Sequence, residues 1–309
     1  MKRVAIIDVG SNSIKCLVAR RNPNGSLVAL YENTLPVRIS HGIDAAEPLL
    51  STAALDEGSD AVGQLVAECD QRGPLAEIHV YATSAVRDAH NREEFAKLVY
   101  DRTDCTLQVL TETEEARLIG RGILEDPALV ELDSFCVADL GGGSLELIQV
   151  QGGEVGFSTS LQLGTVRLTE RFVSDPRQPL QAGEMRALSR FVGEAVQASA
   201  FPLAAPLVGT GGIVTVWRSM RAHEAGLTLP EVSPELPRDN LESWLEQLQT
   251  LDWAARCALP GLPLPRADIV PVGFAILEAI LGVAGAKSVH HSRYNLRYGA
   301  AAEALARLA

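Results

Sequence analysis

The sequence predicts an α/β protein built from two related domains. Short apolar runs, typical of buried strands, alternate with segments of helical periodicity over most of the 309 residues. This length corresponds to about two average domains. An Asp-x-Gly pattern follows an apolar run at residues 8–13 (DVGSNS) and again at residues 139–144 (DLGGGS). Because both copies sit in a strand–turn–strand frame, they predict an internal repeat.

The first domain is assigned to residues 1–125 and begins with a predicted β-meander. Polar turns separate its apolar runs at residues 4–8, 14–19 and 27–31. The following elements alternate, which is typical of an α/β domain. They are a helix at 51–73, a strand at 78–82, a helix at 91–100, a strand at 107–110 and a helix at 113–124.

The second domain is assigned to residues 126–309 and begins in the same way, with strands at 135–138 and 145–150. Proline clusters at 230–237 and 260–265 predict irregular connections. The domain to which the last helix belongs is left open, since this helix can also pack back on the first domain. The remaining predicted elements are helices at 165–172, 182–199, from 213, at 269–283 and from 295, and strands at 206–209 and 288–290.

The composition excludes several classes of function. Lys and Arg number 27 against 39 Asp and Glu, and the net charge of -12 argues against broad binding to nucleic acid or to anionic membranes. The five cysteines are scattered without a C-x-x-C pair, so the sequence predicts no disulfide framework and no zinc knuckle. An export signal and an apolar run of the ~20 residues that a membrane span needs are also missing. We therefore expect a cytoplasmic protein.

Two glycine-rich turns are the first candidate binding elements. A strand that ends in Asp before such a turn suits phosphate and metal, because bare N–H groups approach an anion while the carboxylate holds a cation. A single Asp-x-Gly pattern is more often an ordinary turn, but its repetition favours a phosphate-binding function. The candidate residues are Asp8, Gly10, Ser11, Asn12, Ser13, Gly141, Gly142, Gly143 and Ser144.

Asp139 and Glu146 are the candidate metal ligands. Glu146 shares a strand face with Ser144, from which it can join Asp139 at a divalent cation. The corresponding position after the first turn is Lys15. Lys15 either presents its charge to phosphate or faces solvent.

The helix predicted at residues 113–124 carries the candidate catalytic carboxylate. Glu115 shares its helical face with Leu118 and Ile119 and is expected to point inward, whereas Glu114 fits a capping box with Thr111. A carboxylate on the buried side is paired, bound to metal or catalytic, and a raised pKa would suit it to take a proton from water. The sequence favours catalysis, with a structural ion pair as the alternative.

Two further turns follow predicted strands. The segment ATSAVR at residues 82–87 leads toward a helix, so Ser84 and Arg87 lie at a predicted anion site, where guanidinium can bind phosphate through two hydrogen bonds. The second turn either approaches a nucleotide or caps the next helix. Its residues are Gly209, Thr210, Gly211 and Gly212.

Seven ordered motifs span nearly the whole chain. They are IDVGSNS (7–13), ATSAVRDAHN (82–91), EEARLI (114–119), VADLGGGSLE (137–146), QLGTVRLTERF (162–172), GTGG (209–212) and RADIVP (266–271). Together they resemble the exopolyphosphatase / guanosine pentaphosphate phosphohydrolase (Ppx/GppA) family of the actin, sugar kinase and heat-shock ATPase superfamily. The resemblance implies two ribonuclease H-like domains flanking a cleft, with the Asp8 and Asp139 turns on opposite walls.

The resemblance also implies residue roles. Glu115 falls on the family's catalytic glutamate, Arg87 on its phosphate-binding arginine, and Asp139 with Glu146 on its magnesium-associated carboxylates. The three glycine turns fall on its phosphate-contacting turns. The implied cofactor is Mg²⁺, with Mn²⁺ as the alternative, and the implied assembly is a homodimer.

The implied reaction is the release of terminal orthophosphate from inorganic polyphosphate or guanosine pentaphosphate by water. Two other functions stay open at this point. One is phosphate transfer between polyphosphate and a nucleoside diphosphate, and the other is non-catalytic sensing of guanosine tetra- or pentaphosphate.

Two departures from the family pattern concern the end of the chain. Longer relatives continue into a further C-terminal domain, so a weaker grip on long polymers is expected. Residues 292–299 read SRYNLRYG where relatives often have Ser-Asp-x-Gly-Leu-Arg-x-Gly. Arg293 and Arg297 are therefore candidates for holding more distant phosphates, although a helix end can also favour cations for its dipole.

Overall fold

Strands and helices alternate along the chain in this computed structural model, which describes residues 1–43 and 47–309. The strands within these ranges are β1 (Arg3–Val9), β2 (Ile14–Arg21), β3 (Leu27–Leu35), β4 (Glu77–Ala82), β5 (Leu107–Val109), β6 (Ser134–Leu140), β7 (Leu145–Gln151), β8 (Glu154–Leu161), β9 (Leu207–Thr210), β10 (Glu235–Pro237) and β11 (Ser288–His291). The α-helices are α1 (Thr52–Asp70), α2 (Ser84–Asp88), α3 (Arg92–Thr103), α4 (Glu112–Ile123), α5 (Thr165–Phe172), α6 (Ala182–Ala198), α7 (Gly212–Glu224), α8 (Arg238–Thr250), α9 (Trp253–Cys257), α10 (Val270–Ala284) and α11 (Leu296–Arg307).

The first of two units comprises Met1–Val130 and Tyr294–Ala309. Its sheet has the order β3-β2-β1-β4-β5, in which β1, β2 and β3 form an antiparallel meander and β1, β4 and β5 run parallel. Helix α1, with α3 beside it, covers one face of the sheet, and α11, with α4 beside it, packs against β1 and β2. Because β1 is buried on both faces, it reads as a continuous apolar run.

Helix α11 belongs to the first unit, where it packs closely against α4. A Cβ added to Gly122 would collide with the carbonyl of Asn295, and one added to Gly299 would collide with the carbonyl of Leu118. The two helix backbones therefore touch where neither residue has a side chain. The first unit thus extends to Val130 and takes in residues 294–309, which the sequence division assigns to the second domain.

The second unit comprises Glu131–Arg293. Its sheet has the order β10-β11-β9-β6-β7-β8, in which β6, β7 and β8 form the meander and β6, β9 and β11 run parallel. Its core is formed by apolar residues of the strands together with those of α5, α6, α7, α8 and α10. The predicted buried helix at 269–283 corresponds to α10, whose N-terminal two-thirds is almost entirely buried.

The predicted repeat is confirmed in the ladder of each unit. Asp8 lies opposite Lys15 in the β1–β2 ladder, and Asp139 lies opposite Glu146 in the β6–β7 ladder. The turns close in the same way, since the first turn residue donates its N–H to the carbonyl of the fourth. These bonds measure 3.2 Å between Gly10 N and Ser13 O and 3.0 Å between Gly141 N and Ser144 O.

The predicted fold class, α/β with two ribonuclease H-like domains, is confirmed, because both sheets share a meander followed by parallel strands that are connected through helices. Strands β8 and β10 and helices α2, α8 and α9 are absent from the sequence-based assignment. The segment predicted as an irregular connection at 230–237 ends in β10, an edge strand in which Pro237 is compatible with a missing backbone donor. No helix in the described ranges is long and apolar enough to cross a membrane.

Candidate active site

The first group of candidate residues lies at the carboxyl ends of β1, β4 and β5. Thr83 N donates to Val9 O at 3.2 Å, and Leu110 N donates to Ala82 O at 2.9 Å. These bonds join the segments that follow the three parallel strands. The carboxyl edge of a parallel sheet is where α/β proteins usually bind ligands.

Arg87 and Glu115 form an ion pair at this edge. Arg87 Nη1 lies 2.6 Å from Glu115 Oε2 and also donates to Leu110 O at 3.1 Å. The side chains are 13% and 8% exposed, so solvent screens the pair weakly. This is the ion pair that the sequence analysis left open as the alternative to a catalytic role for Glu115. The structure therefore joins the candidate base and the candidate phosphate-binding arginine in one contact.

Local sequence explains why Glu115 is placed here. Thr111 caps α4, and the predicted capping box with Glu114 is present in both directions. These hydrogen bonds from Thr111 lower the pKa of Glu114. Glu114 thus hydrogen-bonds at the N-terminus of α4, while Glu115 points inward with 6% of its surface exposed.

The turn at residues 10–13 lies at the same edge of the sheet. Ser40 donates to Ser11 O through its N–H at 3.2 Å and its hydroxyl at 3.1 Å. Asn12 Oδ1 and Ser84 Oγ are buried and have no hydrogen-bond partner among the described residues. Buried polar atoms are usually satisfied, so two such atoms at one edge indicate a place where ligand oxygens and nitrogens can bind.

The second group of candidate residues lies in the other unit, where Asp139 and Glu146 are cross-strand partners. Directly opposite residues of an antiparallel pair project from the same face of the sheet. Glu146 is 2% exposed, and its Oε1 accepts a hydrogen bond from Ser160 Oγ at 2.9 Å. Asp139 also pairs with Thr210 in the β6–β9 ladder.

The donor set of this group fits a magnesium ion. Mg²⁺ prefers oxygen ligands and is commonly held by one or two carboxylates, with water and substrate phosphates completing the shell. In the described part of the chain, no group of three or more His, Cys, Asp or Glu side chains could hold a metal ion. A cation here would therefore depend on Asp139 and Glu146 together with oxygens from water and substrate.

The turn at residues 141–144 is held by the start of α5. Each of the carbonyls of residues 141–143 accepts at least one hydrogen bond from that segment. The bonds run from Thr165 N to Gly141 O (3.0 Å), from Val166 N and Arg167 N to Gly142 O (2.9 and 3.2 Å), and from Gly164 N and Arg167 Nε to Gly143 O (3.2 and 2.9 Å).

These bonds fix the direction of the turn's own N–H groups. In a trans peptide the carbonyl and the following N–H point to opposite sides. Because the three carbonyls point toward α5, the N–H groups of Gly142, Gly143 and Ser144 point away from it. None of these three groups donates a hydrogen bond within residues 1–43 and 47–309. Successive N–H groups with a common direction form an anion-binding concavity.

The turn at residues 209–212 lies beside Asp139. Gly211 has a φ of +95°, in the left-handed region that favours glycine, and a Cβ there would lie 2.8 Å from Asp139 Oδ1. Gly212 is also the first residue of α7. The turn therefore both starts a helix and passes close to the candidate metal ligand.

His291 lies behind this turn. It pairs with Gly209 across β11 and β9, and its Nε2 is 3.2 Å from Thr215 Oγ1, which donates to Gly211 O at 3.0 Å. Burial, together with the charges of nearby arginines, lowers the pKa of His291 to about 3. The imidazole is therefore neutral near pH 7, and it packs behind the turn through its hydrogen bond with Thr215.

The two arginines near the chain end have different environments. Arg293 is exposed in the second unit. Arg297 is 7% exposed in the first unit, donates from Nη1 to Cys16 O at 2.8 Å, and pairs with Glu32 at 3.3 Å. These contacts hold α11 on the sheet, so the positive charge of Arg297 stabilises the packing of this helix.

Two residues that the sequence analysis does not assign contact the second group. Ser160 could have been found only by knowing how β8 pairs with β7. Arg167 lies inside the QLGTVRLTERF motif, so the motif could have marked it as a candidate. Its contact with Gly143, however, depends on how α5 packs against the turn.

Comparisons with known proteins agree with this architecture. A model of the Ppx/GppA phosphatase family matches residues 17–308. A Ppx/GppA family member from Aquifex aeolicus is 22% identical, with 99% of this chain and 98% of that chain covered and a TM-score of 0.80. An exopolyphosphatase from Cytophaga hutchinsonii is 22% identical with the same coverage and a TM-score of 0.87. An exopolyphosphatase-like protein is 24% identical, again over 99% and 98%, with a TM-score of 0.86. At these identities the three structures show a shared fold.

Proposed function

The chain belongs to the Ppx/GppA phosphatase family, and from this premise we propose that it is a phosphoanhydride hydrolase. It releases terminal orthophosphate from inorganic polyphosphate or from guanosine pentaphosphate. The observation that carries the proposal is the buried carboxylate of Glu115, 2.6 Å from Arg87 at the carboxyl edge of the first sheet. The name exopolyphosphatase, carried by a structural neighbour, supports the substrate class.

Glu115 acts as the general base that orients a water molecule and takes its proton. Its carboxylate is held in one orientation by the hydrogen bond from Arg87. The planar guanidinium carries five N–H donors in a fork that matches the oxygens of phosphate as well as those of carboxylate. Arg87 is thereby suited to bind a phosphate oxygen next to the attacking water. A general base supplies a factor of ~10²–10⁴ in rate.

The second group binds and neutralises the phosphates. The N–H groups of Gly142, Gly143 and Ser144 donate to phosphate oxygens in the bound substrate and in the transition state alike. Asp139 and Glu146 would hold a magnesium ion, which when bound supplies positive charge to the phosphate oxygens.

The decisive experiment measures phosphate release from short polyphosphate, long polyphosphate and guanosine pentaphosphate by the wild type, Glu115→Gln, Asp139→Asn and the double variant. Glu115→Gln keeps the shape of the side chain, so it should fold and bind polyphosphate while turnover falls at least ~100-fold. The exposed Glu112 on the same helix gives the matched control, Glu112→Gln, which should retain activity.

The double variant tests whether both groups serve one reaction. Residues that act in the same step are strongly non-additive, so the double variant should be hardly slower than the worse single variant. Near wild-type turnover by Glu115→Gln would refute its role as the base. Formation of ATP from polyphosphate and ADP, without free orthophosphate, would instead identify a phosphotransferase, and tight nucleotide binding without turnover would identify a sensor.

A further inference from the structure

Arg167 makes a contact that the proposed catalytic scheme does not use. Its Nε donates to Gly143 O at 2.9 Å. We propose that Arg167 is a positioning residue: it fixes the peptide between Gly143 and Ser144, so that the Ser144 N–H is directed at a phosphate oxygen of the substrate. This inference rests on the proposed function, since it assigns the turn a phosphate to bind.

The Gly143 carbonyl is the one in this turn that depends on a side chain for its shortest bond. The carbonyls of Gly141 and Gly142 receive backbone N–H donors at 3.0 and 2.9 Å. The Gly143 carbonyl receives a backbone donor only at 3.2 Å, from Gly164, and its shorter bond comes from Arg167. A hydrogen bond from a charged donor is stronger than one from a neutral amide. Substitution of Arg167 should therefore loosen the Gly143–Ser144 peptide in particular.

The location of Arg167 argues against an incidental contact. It is the third residue of α5, and a cation in the first turn of a helix is disfavoured by the helix dipole. The side chain turns back to the Gly143 carbonyl, where a positive charge is favourable. A residue that breaks a local rule and gains a specific contact is typical of a functional site.

The same contact strengthens the donor on the other side of the peptide. A positive charge on a carbonyl oxygen polarises the peptide unit, and hydrogen bonds in a chain reinforce one another. The Ser144 N–H is thus both oriented and made a better donor by Arg167. Since this N–H contacts substrate before and during the reaction, its loss should weaken binding more than it slows the chemical step.

The test compares Arg167→Ala and Arg167→Lys with Arg171→Ala on short polyphosphate. Arg171 is exposed one turn further along α5 and stacks on Phe191, so it controls for loss of a charge from this helix. For Arg167→Ala we expect KM to rise about tenfold, equivalent to ~1.4 kcal/mol, with kcat changed less than threefold. Arg167→Lys should be intermediate, because it keeps the charge but not the planar donor. Arg171→Ala should match the wild type.

Chemical rescue separates positioning from a general structural role. Ethylguanidinium added to Arg167→Ala should restore part of the lost affinity, and it should have no effect on the wild type. An unchanged KM in Arg167→Ala, an equal effect of Arg171→Ala, or a fall in kcat at constant KM would each overturn the inference.

A binding measurement keeps the inference testable if turnover is absent. The amide signal of Ser144 in a nitrogen-15 NMR spectrum should shift when inorganic phosphate is added to the wild type, and shift far less in Arg167→Ala. Wild-type protein without any phosphate release would refute the proposed function. Equal Ser144 shifts in the two proteins would refute the role of Arg167.

Discussion

One guanidinium nitrogen, Arg87 Nη1, is shared between the Glu115 carboxylate at 2.6 Å and the Leu110 carbonyl at 3.1 Å. This arrangement ties α2 and α4 to the segment that follows β5. Because both side chains are mostly buried, removal of one charge takes away an ion pair that solvent screens only weakly. The pair is therefore both a structural link and a candidate catalytic contact.

Substitution of Arg87 separates these two roles. Arg87→Met should lower the free energy of unfolding by ~2–4 kcal/mol and turnover at least ~100-fold, since Glu115 loses this buried ion pair. Adding Glu115→Gln to Arg87→Met removes the buried negative charge of Glu115 and should restore part of the stability but none of the activity. Urea unfolding and phosphate release measure the two effects. Recovery of activity in the double variant would contradict a chemical role for Glu115.

Local patterns explain how much of this site could be predicted. The capping box of Thr111 and Glu114 and the inward direction of Glu115 depend on residues within one helix, so periodicity identifies them. The cross-strand pair of Asp139 and Glu146 follows from a four-residue turn. Such features require no knowledge of distant segments.

Long-range packing explains what could not be predicted. Arg297 is buried against Cys16 and Glu32, which are far away in the sequence, so its structural use has no local signature. Ser160 reaches Glu146 only through the pairing of β8 with β7. Each of these contacts depends on a strand or helix arrangement that a short pattern does not encode.

The contact between α4 and α11 should control the stability of the helix that carries Glu115. Gly122→Ala and Gly299→Ala each place a methyl group against a backbone carbonyl of the other helix. Because backbone cannot move aside as a flexible side chain can, we expect each to lower the free energy of unfolding by ~2–4 kcal/mol. Thermal and urea unfolding check this. Wild-type stability in both variants would contradict the close helix contact.

Metal removal tests the assignment of Asp139 and Glu146. Excess EDTA should abolish phosphate release, and added Mg²⁺ should restore it. Glu146→Gln and Asp139→Asn should raise the Mg²⁺ concentration needed for half-maximal activity by at least tenfold, because each removes one charged oxygen ligand. Asp133→Asn, in the exposed residue before β6, is the control. Phosphate release that is insensitive to EDTA would remove the metal from the scheme.

The buried imidazole of His291 predicts how stability depends on pH. The pKa of His291 is lowered to about 3 in the folded chain, against 6.5 as its ordinary value. Between pH 6.5 and pH 3 the unfolded chain binds a proton at His291 and the folded chain does not, so the free energy of unfolding falls as the pH falls. The contribution of this one group is up to ~1.4 kcal/mol per pH unit.

His291→Gln removes that titration. From pH 6 to pH 4 the free energy of unfolding should therefore fall less steeply in the variant than in the wild type. Urea unfolding at several pH values gives both slopes. Parallel slopes would mean that His291 does not remain neutral in the folded chain.

Gly164 tests whether α5 holds the phosphate-binding turn in place. A Cβ on Gly164 would collide with the backbone of Gly142 and Gly143, so Gly164→Ala must push the turn away from the helix start. The bonds that orient the N–H groups of the turn would then lengthen or break, and we expect phosphate release to fall at least ~30-fold. Gly193, inside α6, has open space around its Cβ position, so Gly193→Ala should leave activity unchanged and stabilise the protein by up to ~1 kcal/mol. If Gly164→Ala folds and retains full activity, the turn does not depend on its contact with α5, and the amide-based binding of phosphate loses its structural basis.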